Sequence, residues 1–598
     1  MAINVSFNGA TIYKPGAYSK TTIDLGGGFP LSPTGLVAIF GEADAGAPGA
    51  SEVNIANNVF SPDQLPQIRA KYKSGNIVDA CNFLFAPGSD GAIPGGAQAV
   101  YIYKTNASVR ANLDLEDYAT VRAKEYGTGG NRITVKITGS GATRTITLSQ
   151  KRDLLVESAT VGGNTVLTLT NPSAGSTVSI DDTKISLYNG VSTKDLMKSA
   201  YNSIADLAAD ISLVPGWTAV LGAVDPRLSV YVLDQVTAIS AVAGAVVNKD
   251  AYEVQEFFAA SQIADLVDPV MSGLPDAIGE SFLVDGALGA TSTAEITNAL
   301  SKFEKIRVNS IVPLFSRDAT SDAADGMTDV GSTYTIAGIH QSVKTHLSLM
   351  ATTKKKSERQ GYLSLKDTYA NCKSTAMNLA AARCQLAIQD TKNVDAQGVI
   401  KWFQPWAGAA LIAGARGGSP IGNPMTFKYF NMSGIRQTSQ SMTTPEQNIV
   451  VGFDPDTQYD DAIQSGITFW ENPQTGGYRL VVDNTTYGRD GNWVYNRANV
   501  LYAADVLAYD FRSQLENIYV GLKNTVSAAE IKSTCESILN TYLTQGITVS
   551  TADAKSGFKQ LVVQINGNTV NVSVVVKLVE GIDFVLADIT LQRATQTA

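Results

Sequence analysis

Only two histidines, His340 and His346, are present in the chain, and they stand six residues apart. Metal ligands on one helix face need a spacing of three or four residues, so this pair does not make a zinc motif. A Ser-His-Asp triad is assembled by folding, and spacing alone leaves it open. The chain has no G-x-S-x-G nucleophile motif. We therefore interpret both histidines as structural or surface residues and predict no catalytic residue.

Other stretches that resemble ligand-binding motifs are incomplete. The acidic segment at 454–461 has Tyr459 where a calcium loop needs glycine, and it lacks the distal glutamate. The glycine-rich stretches at 26–28 and 414–418 lack the Lys-Ser/Thr of a phosphate loop, and we interpret them as turns. We predict no metal and no cofactor.

Composition indicates several globular domains. The chain has 598 residues, of which 44% are hydrophobic and 17% charged, and its net charge is −9. The negative charge argues against binding to nucleic acid or to an anionic membrane. We expect no secretory signal in MAINVSFNG and no membrane span, because no apolar run approaches ~20 residues. The four scattered cysteines, without a C-x-x-C pair, favour a reduced cytosolic origin.

Both ends of the chain are rich in strand formers. In INVSF, the residues Ile3, Val5 and Phe7 alternate with polar residues, which is the period of a half-buried strand. Near the other end, Asn566-Gly567 predicts a hairpin turn. The strand after this turn has one apolar face, made by Val570, Val572, Val574, Val576 and Leu578. A further apolar run, FVLADITL, contributes Val585, Ala587, Ile589 and Leu591.

A sheet of two or three strands is marginal alone, and its bare edges invite another chain. Two interpretations are open from the pattern. The edges accept strands from another chain, or both chain ends fold back on their own subunit.

Between the two ends of the chain, the residue pattern changes twice. Residues 120–190 contain short Thr/Val/Ile-rich strands divided by turns, which predict an inserted β-sandwich or barrel. A few hairpins on a larger fold are the alternative. From about 195 to 405, apolar strands such as TAVLGAVD, ESFLVDGAL and NSIVPLF alternate with helical segments. This order predicts a mainly parallel sheet covered on both faces. Two further helices are predicted at 499–520 and 527–545, the second capped by Ser527 and Glu530.

Six segments, in this order, resemble those of contractile-tail sheath proteins of bacteriophages. They are KPGAY (14–18), the strand and Gly-rich loop LVAIFGEADAG (36–46), AKEYGTGGNRITVKI (123–137), SFLVDGALGATSTAEITNALSKFEKIRVNSIVP (281–313), QPWAGA (404–409) and GNWVYNRANVLYAADVLAYDFRSQLENIYVGLKN (491–524). The chain departs from the family after QPWAGA, where ARGGSPIGNP replaces a P-x-S-G-x-x-A-G stretch.

The resemblance implies an α+β multidomain fold with a subtilisin-like α/β central domain that has no protease activity. The implied divisions are an N-terminal arm (1–20), a discontinuous central domain (21–115 and 196–405), an inserted all-β domain (116–195), a C-terminal α+β domain with an acceptor hairpin (406–579) and a C-terminal arm (580–598).

The resemblance also implies a structural, non-enzymatic subunit. Such subunits form stacked hexameric rings around a tail tube, with baseplate and tail terminator proteins as further partners, in a virion assembled in the host cytoplasm. Contraction drives the tube through the host envelope, and terminal strands are donated to neighbours. Glycine and proline hinges are expected at Pro15-Gly16 and at Gly581. A subtilisin-like serine hydrolase and a static lattice or capsid surface protein are the alternatives.

Overall fold

The computed structural model describes residues 5–7, 10–12, 31–51, 54–88, 90–436, 458–473, 475–488, 493–521 and 526–581. Seven predicted site residues lie outside these ranges: Ile3, Pro15, Gly16, Val585, Ala587, Ile589 and Leu591. At the N-terminal end, β1 (Val5–Phe7) pairs antiparallel with β2 (Ala10–Ile12). The strand predicted from INVSF thus includes β1.

The central sheet begins with two parallel strands. The elements of this part are β3 (Leu36–Gly41), β4 (Val59–Phe60), α1 (Leu65–Tyr72), α2 (Asn76–Phe85) and β5 (Ala99–Lys104). The continuous apolar run from Val37 to Phe40 is completely buried. Such a run is typical of a strand that is covered on both faces of a parallel sheet.

An insertion of antiparallel strands follows. Its elements are β6 (Arg110–Asp114), β7 (Thr120–Tyr126), β8 (Ile133–Thr138), β9 (Arg144–Gln150), β10 (Leu155–Val161), β11 (Thr165–Thr170), β12 (Thr177–Ile180), β13 (Lys184–Tyr188), β14 (Thr193–Met197), α3 (Ile204–Leu213), β15 (Thr218–Leu221), β16 (Val236–Ser240), β17 (Ala245–Asn248), α4 (Asp250–Ala260), β18 (Ala264–Val267) and β19 (Ile278–Phe282). They form four small sheets, ordered β18-β7-β6, β10-β9-β8-β19, β15-β11-β17 and β14-β13-β12-β16.

This insertion is longer than predicted and is not all-β. Strand β17 pairs with β11, and β19 pairs with β8, so strands as far as Phe282 complete sheets that begin before residue 195. Helices α3 and α4 pack against its cores. The predicted boundary at 195 is therefore wrong, as are the parallel strands predicted in TAVLGAVD and ESFLVDGAL. A short apolar run reveals neither the direction of a strand nor its sheet.

The chain then returns to the central sheet. The elements are α5 (Thr293–Phe303), β20 (Ser310–Pro313), α6 (Ala319–Ala324), α7 (Ile336–Met350), β21 (Gln360–Ser364), α8 (Tyr369–Leu379), β22 (Cys384–Ala387), β23 (Thr391–Val394), β24 (Ile400–Phe403), α9 (Trp406–Gly418) and β25 (Gly434–Ile435). The sheet order is β22-β21-β20-β3-β5-β4, in which only the edge strand β4 runs antiparallel. Helices α2 and α9 cover one face, and α5, α7 and α8 cover the other. We call this sheet with these helices the central body.

Helix α9 belongs to the central body, and the predicted domain boundary between residues 405 and 406 therefore divides one core. All of its residues from Trp406 to Gly417 are buried. A β-carbon at Gly414 would lie 2.5 Å from the Leu84 carbonyl oxygen, and one at Gly418 would collide with the backbone of Gly95. The GARGG stretch predicted as a turn is thus the end of a helix whose glycines allow close backbone approach.

The remaining elements are α10 (Tyr459–Gln464), β26 (Trp470–Glu471), β27 (Arg479–Leu480), α11 (Trp493–Asn496), α12 (Ala498–Tyr519), α13 (Ala528–Thr544), β28 (Phe558–Asn566) and β29 (Thr569–Val576). Ser527 and Glu530 form the predicted capping box of α13. We call α12, α13, β28 and β29 the C-terminal block. Among the described helices, none is long and apolar enough to cross a membrane.

Candidate assembly interface

Strands β28 and β29 form an antiparallel hairpin. Asn566 pairs with Thr569, which leaves Gly567-Asn568 as the two-residue turn, one position later than the predicted Asn566-Gly567. Gly567 takes φ +60, a conformation that glycine adopts without strain. The register shifts between Lys559 and Val562, where Gln560 takes φ +55. Strand β28 is therefore irregular near its start, whereas its half near the turn is regular.

One face of the hairpin packs on the two helices. Leu561 is buried against Ile538 and Tyr542 of α13 and other members of the same cluster. From β29, Val572, Val574 and Val576 pack against this cluster and stay half-buried. Val570 lies nearest the turn and is 40% exposed. The apolar face anticipated from alternation is thus the packed face, and its coverage decreases toward the hairpin tip.

The outer edges of this hairpin are open in the part of the chain that the structure describes, where β28 and β29 pair only with each other. The opposite face exposes Val562 and Val575, at 47% and 39%. A two-stranded sheet with free edges and exposed β-branched residues is a template for another strand.

A cleft of about 580 Å³ lies beside the hairpin tip. Its apolar lining comes from the end of α12, the start of α13 and β29: Leu515, Tyr519, Val520, Ile531, Val570 and Val572. Charged residues at the cleft form ion pairs, with Arg512 2.5 Å from Glu358 and Lys356 3.8 Å from Glu516. The cleft thus continues the apolar face of the hairpin beyond β29.

The predicted hinge glycine Gly581 is the last residue that the structure describes. It lies against Pro424, where a β-carbon on Gly581 would be 2.9 Å from the proline ring. The chain therefore leaves the C-terminal block close to the loop that follows α9.

Both histidines are structural. His340 is buried, and its Nε2 lies 3.0 Å from the Ser364 carbonyl oxygen. His346 is buried beside Arg359, with 3.4 Å between its Nε2 and Nη1 of that residue. Burial lowers the pKa of each imidazole to about 4, and the Arg359 charge contributes at His346. Among the described residues, no group of three His, Cys, Asp or Glu side chains is placed to hold a metal ion.

The central body contains a buried carboxyl group that no sequence motif indicated. Glu42 directly follows β3, and one carboxyl oxygen accepts hydrogen bonds from the hydroxyls of Thr291 and Thr328, each at 2.6 Å. Burial raises the pKa of Glu42 to about 7. Burial also lowers the pKa of Lys104, at the end of the neighbouring strand β5, to about 7. These groups are spread over the chain, and only folding brings them together.

The comparisons with known proteins agree with this architecture. The chain is 25% identical to the tail sheath protein of Bacillus phage SP01 over 563 residues, which cover 89% of each sequence. The chain is related to the tail sheath proteins of bacteriophages. This confirms the resemblance found in the sequence motifs, although no protein-family model matches the chain.

Two solved structures have the same overall fold. The sheath tail protein of Desulfitobacterium hafniense aligns with a TM-score of 0.50 and 14% identity, covering 92% of this chain and 93% of that one. The sheath tail protein of Listeria innocua gives a TM-score of 0.50 and 13% identity over the same shares. The α+β multidomain class is confirmed by these likenesses. The prediction of a structural, non-enzymatic protein agrees with relatives that are named as tail sheath components.

Proposed function

We propose that the chain is the structural subunit of a contractile phage tail sheath, which polymerises as stacked hexameric rings and is linked by donated terminal strands. The observation that carries this proposal is the hairpin on the C-terminal block, whose edges are unpaired among the described residues, in a chain similar to a phage tail sheath protein over 89% of its length. A hairpin with two free edges needs partner strands to become part of a stable sheet.

In this proposal, the hairpin is the acceptor and the chain ends are donors. The acceptor residues are Asn566, Gly567, Val570, Val572, Val574 and Val576. The donors are Ile3, Val5 and Phe7 of one arm and Val585, Ala587, Ile589 and Leu591 of the other. Pro15, Gly16 and Gly581 act as hinges. The cleft beside β29 supports this assignment, because an added strand at that edge would cover its apolar lining.

Strand donation suits a lattice that changes shape. Backbone hydrogen bonds between strands depend little on side-chain identity, and they persist while the subunit bodies rotate on flexible connections. The extended sheath is metastable in this scheme. Contraction increases the contact between bodies, and a modest gain per subunit is multiplied over many copies. The energy is stored during assembly and requires no nucleotide.

The proposal includes the surroundings of the sheath. The tail tube lies inside the rings, the baseplate and tail terminator proteins cap the two ends, and the subunit belongs to the virion after assembly in the host cytoplasm. The parallel sheet covered by helices on both faces supports a subtilisin-like class for the central domain.

Deleting residues 1–13 tests the proposal. We expect a folded monomer, with unchanged circular dichroism and melting temperature, that forms no tubes in electron microscopy of the purified protein. Normal tubes from the deleted chain would exclude the donor role of the N-terminal strand. Flat lattices from the intact protein would favour a static surface protein instead.

A matched pair of point variants refines this test. Val5→Pro removes a backbone donor from β1 and prevents regular strand pairing. Ser6→Ala keeps every backbone donor of the same strand. We expect tubes from Ser6→Ala and none from Val5→Pro.

A further inference from the structure

A buried carboxylate joins the N-terminal segment to the C-terminal block. Asp510, on α12, has no exposed surface. One of its oxygens accepts from the Ser32 amide at 2.7 Å and from the Ser32 hydroxyl at 2.5 Å. The other accepts from the Tyr542 hydroxyl at 2.7 Å and from the Gln514 amide at 2.6 Å. Three separate parts of the chain therefore meet at one side chain.

Burying the Asp510 carboxylate costs folding free energy unless all of its hydrogen bonds are made. Among the described residues, no Lys, Arg or His forms an ion pair with Asp510, so its charge is held by hydrogen bonds alone. A buried carboxylate that loses a donor keeps its desolvation cost, and each bond to a charged acceptor is stronger than a neutral one. The bonds to Ser32 are thus strong and directional.

The segment around Ser32 is held at a second point by the central body. Leu31 packs against the core of the C-terminal block. Three residues after Ser32, Gly35 takes φ +76, and a β-carbon there would lie 2.5 Å from the Gly417 carbonyl oxygen of α9. The connection between these two points is short, so Ser32 is held close to both α9 and α12.

We propose that Asp510 is a positioning residue that anchors the root of the N-terminal arm on the block that carries the acceptor hairpin. This inference rests on the proposed strand-donating function. Its consequence is that, in each subunit, the donated N-terminal strand and the acceptor hairpin are both attached to one rigid support, the α12–α13 pair.

Ser32→Ala and Asp510→Asn test this role, with Asp505→Asn as the matched control. Asp505 lies on the same helix and is also buried, but it pairs with Arg383 at 2.6 Å and does not contact Ser32. The measurements are the melting temperature of the monomer and the protein concentration that gives half-maximal tube formation.

We expect Ser32→Ala and Asp510→Asn to raise that concentration about tenfold, the size of one lost hydrogen bond to a buried charge. Ser32→Ala removes one of four hydrogen bonds to Asp510 and should lower the melting temperature no more than Asp505→Asn does. Asp505→Asn should lower the melting temperature and leave the assembly concentration unchanged, measured well below the melting range. The Ser32→Ala/Asp510→Asn double variant should have less than the summed effect of the two single variants, because both changes act on the same contact.

The outcomes separate the two proposals. If the deletion of residues 1–13 abolishes tubes while Ser32→Ala assembles like the parent, the anchor is wrong and the strand-donating function stands. If the deleted chain still forms normal tubes, the proposed function itself fails. Equal effects of Asp505→Asn and Asp510→Asn on assembly would reduce the anchor to general stability and overturn it.

Discussion

The central body and the C-terminal block differ in how completely their apolar residues, charged groups and strand edges are covered. In the central body, six strands are covered on both faces, and even charged groups such as Arg416 and Asp483 are buried as a pair, at 2% and 1% exposure. In the C-terminal block, most of the apolar residues of α12, β28 and β29 stay half-buried, and the hairpin has free edges within the part of the chain that the structure describes.

This difference indicates a division of labour. A closed core resists deformation, because any opening exposes apolar surface and unpaired charge. An open-edged block gains stability only when further strands cover it. In the proposed sheath subunit, the body would supply rigidity and the block would supply attachment.

Asp483→Ala should produce the largest change, and it acts on the body. Removing this carboxylate leaves Arg416 charged, buried and without its 2.5 Å partner. Breaking such a pair costs about 3–5 kcal/mol. We expect urea unfolding to show a loss of this size in the free energy of unfolding.

Asp553→Ala is the control, because its ion pair with Lys559, near the start of β28, is exposed. That change should leave the urea midpoint where it is. Equal losses from both variants would remove the contrast between a closed body and an open block.

Glu42→Gln should change how stability depends on pH. The ordinary pKa of 4.5 is raised to about 7 by burial, so the folded state binds the proton more tightly than the unfolded state. The stability that this group contributes is full below pH 4.5 and is lost as the pH rises through 7. The loss is about 3 kcal/mol, and the amide that replaces the carboxyl group does not titrate.

Unfolding free energies of both proteins between pH 5 and pH 8 check this expectation. The free energy of unfolding of the variant should increase relative to that of the parent as the pH rises. Lys104 titrates with the opposite slope, and the Glu42 charge raises its pKa, so the difference between the two proteins reports the coupled pair. Parallel pH curves for the two proteins would contradict an ionisation of Glu42 in this range.

The smallest expected effect comes from removing one of two serine helix caps. Ser292 caps α5 in the body and Ser527 caps α13 in the block, each accepting from a backbone amide three residues on, at 3.3 and 3.2 Å. Replacing either by alanine costs about 1 kcal/mol. We expect Ser527→Ala to speed hydrogen exchange of the hairpin amides without affecting the central sheet. Uniform acceleration throughout the chain would mean that the block does not open as a separate unit.

Local patterns in the sequence predicted local structure well. The run NSIVPLF contains β20 of the parallel sheet, and the Ser527 cap begins α13. Each of these depends on neighbours within a few residues. The hairpin was also foreseen, with its turn shifted by one residue, since the Asn-Gly and Gly-Asn pairs overlap in INGNT.

Long-range pairing was not predictable in the same way. Strands β17 and β19 belong to the insertion because they pair with strands that lie far away along the chain. The local residue pattern of a single sequence does not indicate such partners. The glycines of α9 lower helix propensity, and only the close approach to Leu84 and Gly95 explains them. The Ser32–Asp510 contact has no local signal at all.

The Ser32–Asp510 contact can form only late in the synthesis of the chain. Ser32 leaves the ribosome 478 residues before Asp510. At about 5–20 residues per second, the interval is roughly 25 to 100 s. During this time, a nascent chain has its first strands but neither the helix that fixes their root nor the hairpin that follows. In the proposed sheath, only a finished polypeptide would have both the anchored arm and the acceptor hairpin, so the order of translation would exclude incomplete chains from assembly.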